Sequence, residues 1–287
     1  MKNYVIYTDS CADLTAEMYQ DLGLRTVSLD VIVEGEEPVS NDKVDIKEIY
    51  AKLRAKKSAS TAAVNIDKFL EVFESSAKEG LDILYLGFSS GLSSTFSAAV
   101  VAMKELQEKY PENKLYVVDT LCASMGQGLL VYAAAKKKEA GASIEEVRDF
   151  VEDNKLNLCH WFTVDDLFFL KRGGRVSAAT AVVGSLLNIK PVMHVDNAGK
   201  LINVSKVRGR KAAIDAMFEN MKKSMLPEGN DVIFISHGDC IEDAEYLANR
   251  VKNELHIPNV EINYVGPVIG SHSGPGTLAL FFFGNER

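Results

Sequence analysis

The chain has 287 residues, of which 47% are hydrophobic and 25% charged, a composition that suits one large or two modest α/β domains. Its formal net charge of -8 argues against non-specific attraction to nucleic acid or to anionic membranes. The first residues lack the pattern of a secretory signal, and no apolar run is long enough to cross a bilayer. We therefore expect a cytoplasmic protein that binds no nucleic acid.

The four cysteines are widely spread along the chain, and none belongs to a CxxC motif. The five histidines do not stand near them at the spacing of metal ligands. We therefore predict reduced, mostly buried thiols, no metal centre and no cofactor.

Predicted strands and helices alternate through the first half of the chain. A short apolar strand is predicted at 4–7 and ends in a turn. Asp9 in this turn is typical of a residue that caps a turn or a helix, and the alternative is a metal site at Asp9 and Asp13. The later elements are β-like runs within 22–33, strands at 83–88 and 115–118, and helices at 45–57, 66–79, 96–109 and 126–139. This alternation predicts an α/β fold with a mainly parallel sheet covered on both faces.

The pattern changes after a helix whose start carries a capping box, with Ser143 as the N-cap and Glu146 three residues later. The elements that follow are strands at 160–164, 191–195, 201–207, 232–236, 260–265 and 278–283, and helices near 165–170, 177–187, 211–224 and 241–255. The Asp-Asn-Ala-Gly sequence at 196–199 predicts a hairpin between two of these strands. We predict an N-terminal domain at 1–150 and a C-terminal domain with a mixed sheet at 151–287.

The turn at 87–97, which is rich in glycine, serine and threonine, is the strongest candidate for a binding site. A predicted strand enters this turn, a predicted helix leaves it, and its small side chains let the backbone approach a ligand closely. The helix N-terminus and the hydroxyl groups suit a carboxylate or a phosphate. The alternative is a turn rich in N-cap residues that holds no ligand.

Sharper motifs narrow the chemistry of this turn. The chain contains neither a P-loop nor a dinucleotide-binding GxGxxG. Residues 87–91 do match the GxSxG string of serine hydrolases, so a serine esterase or lipase-like hydrolase using Ser89 or Ser93 is the rival hypothesis. Against it, extra loop residues separate the motif from the helix, and every histidine lies at 160 or later, so no His-Gly-rich oxyanion segment precedes Ser89.

Four further segments place polar side chains beside small residues. A hydroxyl cluster at 58–61 ends in Thr61, and residues 270–277 hold His272 among glycines and a proline that predict a fixed loop. Residues 170–175 and 206–211 present arginines beside glycines. Such arginines suit carboxylate or phosphate oxygens, although the same composition is typical of a solvated loop.

Together these segments resemble the DegV family of fatty-acid-binding proteins, the lipid carriers of bacterial fatty acid kinase. The matching strings follow one another over nearly the whole chain: YTDSCADL at 7–14, SSGLSSTFSAA at 89–99, VVDTLCASMGQGLL at 117–130, FLKRGGRVS at 169–177, LLNIKPVMHVDNAGKL at 186–201, KVRGRKAA at 206–213 and IGSHSGPGTLALFF at 269–282. The resemblance implies two α/β domains with a long-chain fatty acid buried between them.

The resemblance also implies which residues hold the carboxylate. Ser93 matches the family hydroxyl that hydrogen-bonds the carboxylate, with Thr61 and Ser94 beside it, and His272 matches a histidine close by. The residues that follow Thr61 (Ala-Ala-Val-Asn) and Ser93 (Ser-Thr-Phe) depart from strings common in the family. The resemblance therefore does not indicate which chain length or degree of saturation is preferred.

In that scheme the protein is a carrier and not a catalyst. A separate kinase subunit uses ATP to phosphorylate the carboxylate that the carrier presents. The carrier then takes the acyl-phosphate onward, with transient contact at the membrane. Arg172 and Arg208 match family arginines, and we expect them to face the head group or the kinase.

Overall fold

The computed structural model describes residues 3–177 and 188–287, which form an α/β fold. The strands are β1 (Tyr4–Asp9), β2 (Arg25–Val27), β3 (Asp30–Val33), β4 (Val39–Ser40), β5 (Ala59–Ala62), β6 (Asp82–Gly87), β7 (Leu115–Asp119), β8 (Leu158–Thr163), β9 (Ile189–Val195), β10 (Leu201–Arg208), β11 (Val232–His237), β12 (Asn259–Tyr264) and β13 (Leu278–Phe283). The α-helices are α1 (Ala16–Asp21), α2 (Ile46–Arg54), α3 (Ile66–Lys78), α4 (Thr95–Lys109), α5 (Met125–Glu139), α6 (Ile144–Asn154), α7 (Leu167–Arg172), α8 (Arg210–Ser224), α9 (Ile241–Glu254) and α10 (Pro267–Ser273). Within the described residues, none of these helices has the length and apolar character that a membrane span requires.

The first sheet is parallel throughout, with strand order β2-β1-β6-β7. Its central strand β6 is completely buried, as expected for a parallel strand covered on both faces. Ile83 and Tyr85 pack on the side of α3 and α4, whereas Leu84 and Leu86 pack on the side of α5 and α6. The prediction of a mainly parallel N-terminal sheet is confirmed.

The second sheet is mixed, with strand order β10-β9-β8-β13-β11-β12. In this sheet β11 and β12 pair in parallel, and the other described neighbours pair antiparallel. Leu278 and Leu280 of β13 pack on the side of α8 and α9, whereas Ala279 and Phe281 join the hydrophobic cluster that contains Leu84 of β6. The predicted mixed sheet is therefore confirmed, and the two large sheets share one hydrophobic cluster.

A small antiparallel sheet, with strand order β4-β3-β5, was not expected from the sequence. The small, polar residues around β5 have little intrinsic preference for a strand, and the pairing with the apolar strand β3 outweighs it. Thr61 lies on β5 opposite Val31 of β3. The regular strand thus fixes the position of one of the predicted site residues.

Other local predictions agree with the structure at several points, and one more fails. The β9–β10 hairpin and the capping box at Ser143 are confirmed. The fixed loop predicted at 270–277 is wrong for His272, which lies in α10, a helix that begins at Pro267, where proline is well tolerated. Residues 274–277 follow this helix and are not helical. The helix predicted at 177–187 lies, apart from residue 177, outside the described residues. The predicted domain boundary at residue 150 falls within α6 and stays a prediction.

Candidate functional site

A largely apolar cavity of about 280 Å³ lies between residues of the two large sheets and α10. This volume is close to the lower end of the range for ligand pockets, roughly 300–1,000 Å³. Most of the wall is formed by apolar side chains, which are Leu29, Ala63, Phe88, Leu92, Ala123, Phe162, Leu170, Val195, Leu201, Val265, Val268, Ile269, Ala279 and Phe281. The polar lining residues are Thr61, Ser93, Ser94, Ser124, His160, Arg175, Ser236, His272, Ser273 and Thr277.

Thr61 and His272, which are 211 positions apart in the chain, meet at this cavity. The Thr61 hydroxyl lies 2.7 Å from Nε2 of His272. When Nε2 carries the ring proton, it donates to Thr61, and the hydroxyl hydrogen of Thr61 is left for another acceptor. The pair can thus present an O–H donor to an anion at the cavity wall.

The imidazole of His272 is held in its neutral form. Burial, together with the positive charges of Arg175 and Arg172, lowers the pKa of His272 to about 4. Its Nδ1 atom has no hydrogen-bond partner among the described residues and lies against Gly173. A neutral histidine of this kind orients a neighbouring hydroxyl and adds no charge to the cavity wall.

Ser93 and Ser94 lie at the N-terminus of the 15-residue helix α4. The Ser93 hydroxyl accepts a hydrogen bond from the Thr95 N–H at 3.2 Å and lies 2.9 Å from the Thr95 hydroxyl. Ser94 is the N-cap residue but its side chain forms no capping hydrogen bond, and it is exposed. A helix N-terminus carries positive potential, so both serines lie where an anion is favoured.

Arg175 also lines the cavity, and the sequence alone did not single it out from its basic segment. The guanidinium donates from Nε to the Leu92 carbonyl at 3.2 Å and also donates to the Gly173 carbonyl. Burial lowers the pKa of Arg175, although a guanidinium stays charged at neutral pH. The motif of arginines beside glycines located the segment, but only the fold shows which arginine points inward.

Arg172 and Arg208 are both exposed and do not line the cavity. The Arg172 guanidinium stacks on the ring of Phe169 at 4.9 Å, one turn back on α7. Arg208 is the last residue of β10. Their predicted role toward a head group or a kinase stays a prediction.

Ser89, the centre of the GxSxG string, stabilises the fold through hydrogen bonds to the backbone. It is completely buried, donates to the Gly199 carbonyl at 2.8 Å and accepts from the Gly91 N–H at 3.1 Å. Among the described residues, neither Ser89 nor Ser93 hydrogen-bonds a histidine. The geometry therefore gives no support to the hydrolase hypothesis.

His160 was not singled out by the sequence, yet it forms part of the cavity wall. Its Nδ1 lies 3.1 Å from the Leu158 carbonyl, and its Nε2 accepts from the Ala123 N–H at 3.2 Å. Burial lowers the pKa of His160 well below its usual value. Both ring nitrogens form hydrogen bonds with the backbone, so this neutral imidazole has a fixed orientation in the cavity wall.

A second polar group of three side chains, Asp13, Ser124 and Ser236, reaches the same cavity. The Ser124 hydroxyl donates to the Asp13 carboxylate at 2.6 Å and lies 2.9 Å from the Ser236 hydroxyl. All three side chains are buried. Burial raises the pKa of Asp13 to about 7, against the hydrogen bonds from Ser124 and Gly266. The described residues contain no cluster of ligands that could hold a metal ion.

Replacing Asp13 by asparagine should change how stability depends on pH. Between the pKa of an unfolded aspartate, about 3.9, and the folded value of about 7, the folded protein binds a proton that the unfolded chain releases. Wild-type stability therefore falls as pH rises through this window, and Asp13→Asn lacks this loss. Urea unfolding should show the variant gaining roughly 2–3 kcal/mol relative to wild type between about pH 5 and about pH 8, since each pH unit below the folded pKa contributes about 1.4 kcal/mol. The buried neighbour Asp9 is present in both proteins, and a constant difference across this range would contradict the assignment.

Comparisons with known proteins extend over the whole chain. The family model described as "Uncharacterised protein, DegV family" matches residues 3–285. A DegV domain-containing protein of Clostridium perfringens is 46% identical, with 100% of this chain and 99% of that protein covered. The structure of a DegV family protein from Thermus thermophilus, described as fatty acid binding, matches with a TM-score of 0.87 and 30% identity, covering 99% of this chain and 100% of that one. The Bacillus subtilis DegV, described as a fatty acid binding protein, matches with a TM-score of 0.85 and 27% identity over 99% and 100% of the two chains.

Proposed function

This chain belongs to the DegV family, and from that premise we propose that it binds one long-chain fatty acid in its central cavity. The observation that carries the proposal is the apolar cavity whose polar lining includes Ser93, Thr61, His272 and Arg175. Fatty acid binding by the matched proteins of Thermus thermophilus and Bacillus subtilis supports it. On this proposal the acyl chain lies between two domains, 1–150 and 151–287.

The apolar wall supplies most of the binding free energy. Each methylene group removed from water contributes roughly 0.8 kcal/mol, so a long acyl chain supplies on the order of 10 kcal/mol before the costs of ordering. Leu92, Phe162 and Val268 are among the side chains that would contact it. A cavity lined in this way needs no cofactor to hold its ligand.

The carboxylate is assigned to the hydroxyl-rich part of the wall. Ser93 and Ser94 offer donors at the N-terminus of α4, and Thr61 offers a third donor oriented by His272. The half-buried Arg175 adds the positive charge that a carboxylate requires in a site shielded from water. Because hydroxyls rather than a paired arginine fork bind the oxygens, the carboxylate remains available to react.

Purified protein should contain a fatty acid at a ratio near one per chain when it is extracted with organic solvent and measured by mass spectrometry. Protein that has been stripped of lipid should take up oleate or palmitate. An empty protein that binds neither acid would contradict the proposal. Turnover of short acyl esters, lost on Ser89→Ala or Ser93→Ala, would favour the hydrolase instead.

Gly173→Ala should weaken fatty acid binding without removing any polar group. An added Cβ would lie 2.3 Å from Nδ1 of His272, so the ring must move and its contact with Thr61 must change. A loss of roughly tenfold in oleate affinity corresponds to about 1.4 kcal/mol. In a His272→Ala background the added Cβ of Gly173→Ala has room. A double-mutant cycle should therefore show that the losses of oleate affinity from the two substitutions are not additive. Additive losses would show that Gly173 acts elsewhere.

We further propose that the protein is a non-catalytic carrier that presents the carboxylate to a separate kinase and takes the acyl-phosphate onward, in the cytoplasm and with transient membrane contact. The exposed guanidinium of Arg172 lies three residues from the inward-facing Arg175, which supports a role for it close to the head group. Arg208 is assigned to the same surface.

A bacterial fatty acid kinase supplied with ATP and the oleate-loaded protein should form acyl-phosphate. Arg172→Ala and Arg208→Ala should lower that rate while oleate affinity stays near the wild-type value. Lys252→Ala, at an exposed position of α9, is the matched control. Unchanged rates in both arginine variants would remove these residues from the kinase-facing surface.

A further inference from the structure

The cavity has a second polar region that a plain acyl chain does not use. Ser124 and Ser236 both line the cavity, and Asp13 stands behind them. No hydrogen bond among the described residues joins this trio to Thr61 or His272. The trio therefore forms a separate polar part of the wall.

Helix α10 separates the two polar regions by a fixed distance. The Asp13 carboxylate packs against Gly266, which precedes the first turn of α10, because an added Cβ there would lie 2.1 Å from Oδ1. His272 lies in the last turn of the same helix. Positions 266 and 272 are six residues apart, which at a rise of about 1.5 Å per residue is about 9 Å. Apolar side chains, including Val268, line the cavity between them.

The hydroxyl of Ser236 has hydrogen-bonding capacity left over. A serine hydroxyl has one donor and two acceptor positions. Among the described residues, the hydroxyl of Ser236 has one hydrogen-bond partner, the hydroxyl of Ser124. Ser124 in turn bonds Asp13, so the trio is a chain that ends on a carboxyl group. With the carboxylate at its end, the chain runs toward Asp13 and leaves an acceptor at Ser236. With a protonated carboxyl, it can run the other way and leave a donor.

An alkyl chain would leave this capacity unused, whereas a hydroxyl on the ligand would add a hydrogen bond to it. We propose that Ser236, backed by Ser124 and Asp13, forms a subsite for a hydroxyl group carried by the acyl chain, so that the preferred ligands include hydroxylated long-chain fatty acids. A ligand hydroxyl is both donor and acceptor and therefore fits either direction of the chain. The inference rests on the proposed fatty acid binding and adds a preference within it.

The backbone supports a specific placement of Ser124. This residue has φ of 53° and ψ of -148°, a conformation that favours glycine. A serine is held there by its hydrogen bonds to Asp13 and Ser236. The strained backbone aims the hydroxyl between the carboxylate and the cavity wall.

A series of hydroxystearates that differ only in the position of the hydroxyl, with stearate as the reference, tests the subsite. Wild-type protein stripped of lipid should bind one mid-chain isomer roughly 3- to 10-fold more tightly than stearate, the gain expected from one additional hydrogen bond. Ser236→Ala should abolish this preference while stearate affinity is retained, which also shows that the variant is folded. Ser271→Ala is the matched control, because this buried serine of α10 bonds the Pro267 carbonyl and does not line the cavity.

The outcomes separate this inference from the proposed function. Stearate binding with no isomer preferred, or a preference that persists in Ser236→Ala, would overturn the hydroxyl subsite alone. A protein that binds neither stearate nor any hydroxystearate would overturn fatty acid binding and the subsite together.

Discussion

Ser93→Ala should weaken fatty acid binding by roughly 10- to 100-fold, because a hydrogen bond to a charged group contributes about 1.5–3 kcal/mol. The substitution removes a hydroxyl at the N-terminus of α4, together with its hydrogen bond from the Thr95 N–H, and leaves the apolar wall unchanged. Calorimetric titration of lipid-free protein with oleate measures the effect directly. The acid should still enter the cavity, with its carboxylate less firmly held.

Ser97→Ala is the control for this experiment. Ser97 lies on the same helix, is exposed and does not line the cavity, so its removal should leave oleate affinity unchanged. Equal affinities of wild type and Ser93→Ala would place the carboxylate elsewhere in the cavity. Equal losses in the Ser93 and Ser97 variants would indicate an effect on α4 and not on the site.

Ala279→Phe should nearly abolish fatty acid binding by filling the space that the acyl chain needs. Ala279 lies in the middle of the mixed sheet between Ser236 and Phe162, and its side chain faces the cavity. If the ring excludes about four methylene groups, the loss is about 3 kcal/mol, or on the order of 100-fold in affinity. The folded protein should keep its thermal stability, since the ring fills apolar space in place of the ligand.

Ala51→Phe tests whether an added aromatic ring is harmful by itself. Ala51 is exposed on α2 and does not line the cavity. This variant should bind oleate as wild type does. Full oleate affinity in a folded Ala279→Phe protein would show that the acyl chain does not occupy the described cavity.

The architecture was accessible from the sequence because its signals are local. Buried β6 reads as a continuous apolar run, and the hairpin and the helix cap at Ser143 have their own residue signatures. The strand β5 and helix α10 were missed because their small residues, glycines and prolines predict loops. Pairing with β3 makes one a strand, and packing of Gly270 against Tyr50 accommodates a glycine in the other.

Only the site residues that belong to recognisable sequence motifs could be predicted. Thr61 and His272 came from the family resemblance, and the structure brings them into contact. Arg175 was indistinguishable from Arg172 in the sequence, since the direction of a side chain depends on the tertiary fold. The hydrogen bond between Asp13 and Ser124 joins residues 111 positions apart, and no local sequence pattern predicts such a pair.

The hydrogen bond from Ser89 to the Gly199 carbonyl joins the turn at 87–97 to the β9–β10 hairpin, 110 residues later in the chain. The fit is tight, since a Cβ on Gly199 would lie 2.1 Å from the Ser89 hydroxyl oxygen. During synthesis, the N-terminal sheet can assemble while this loop still lacks its anchor. We therefore expect lipid binding to appear late, after the β9–β10 hairpin has left the ribosome and docked. A chain truncated before this hairpin should fold its first sheet without binding a lipid.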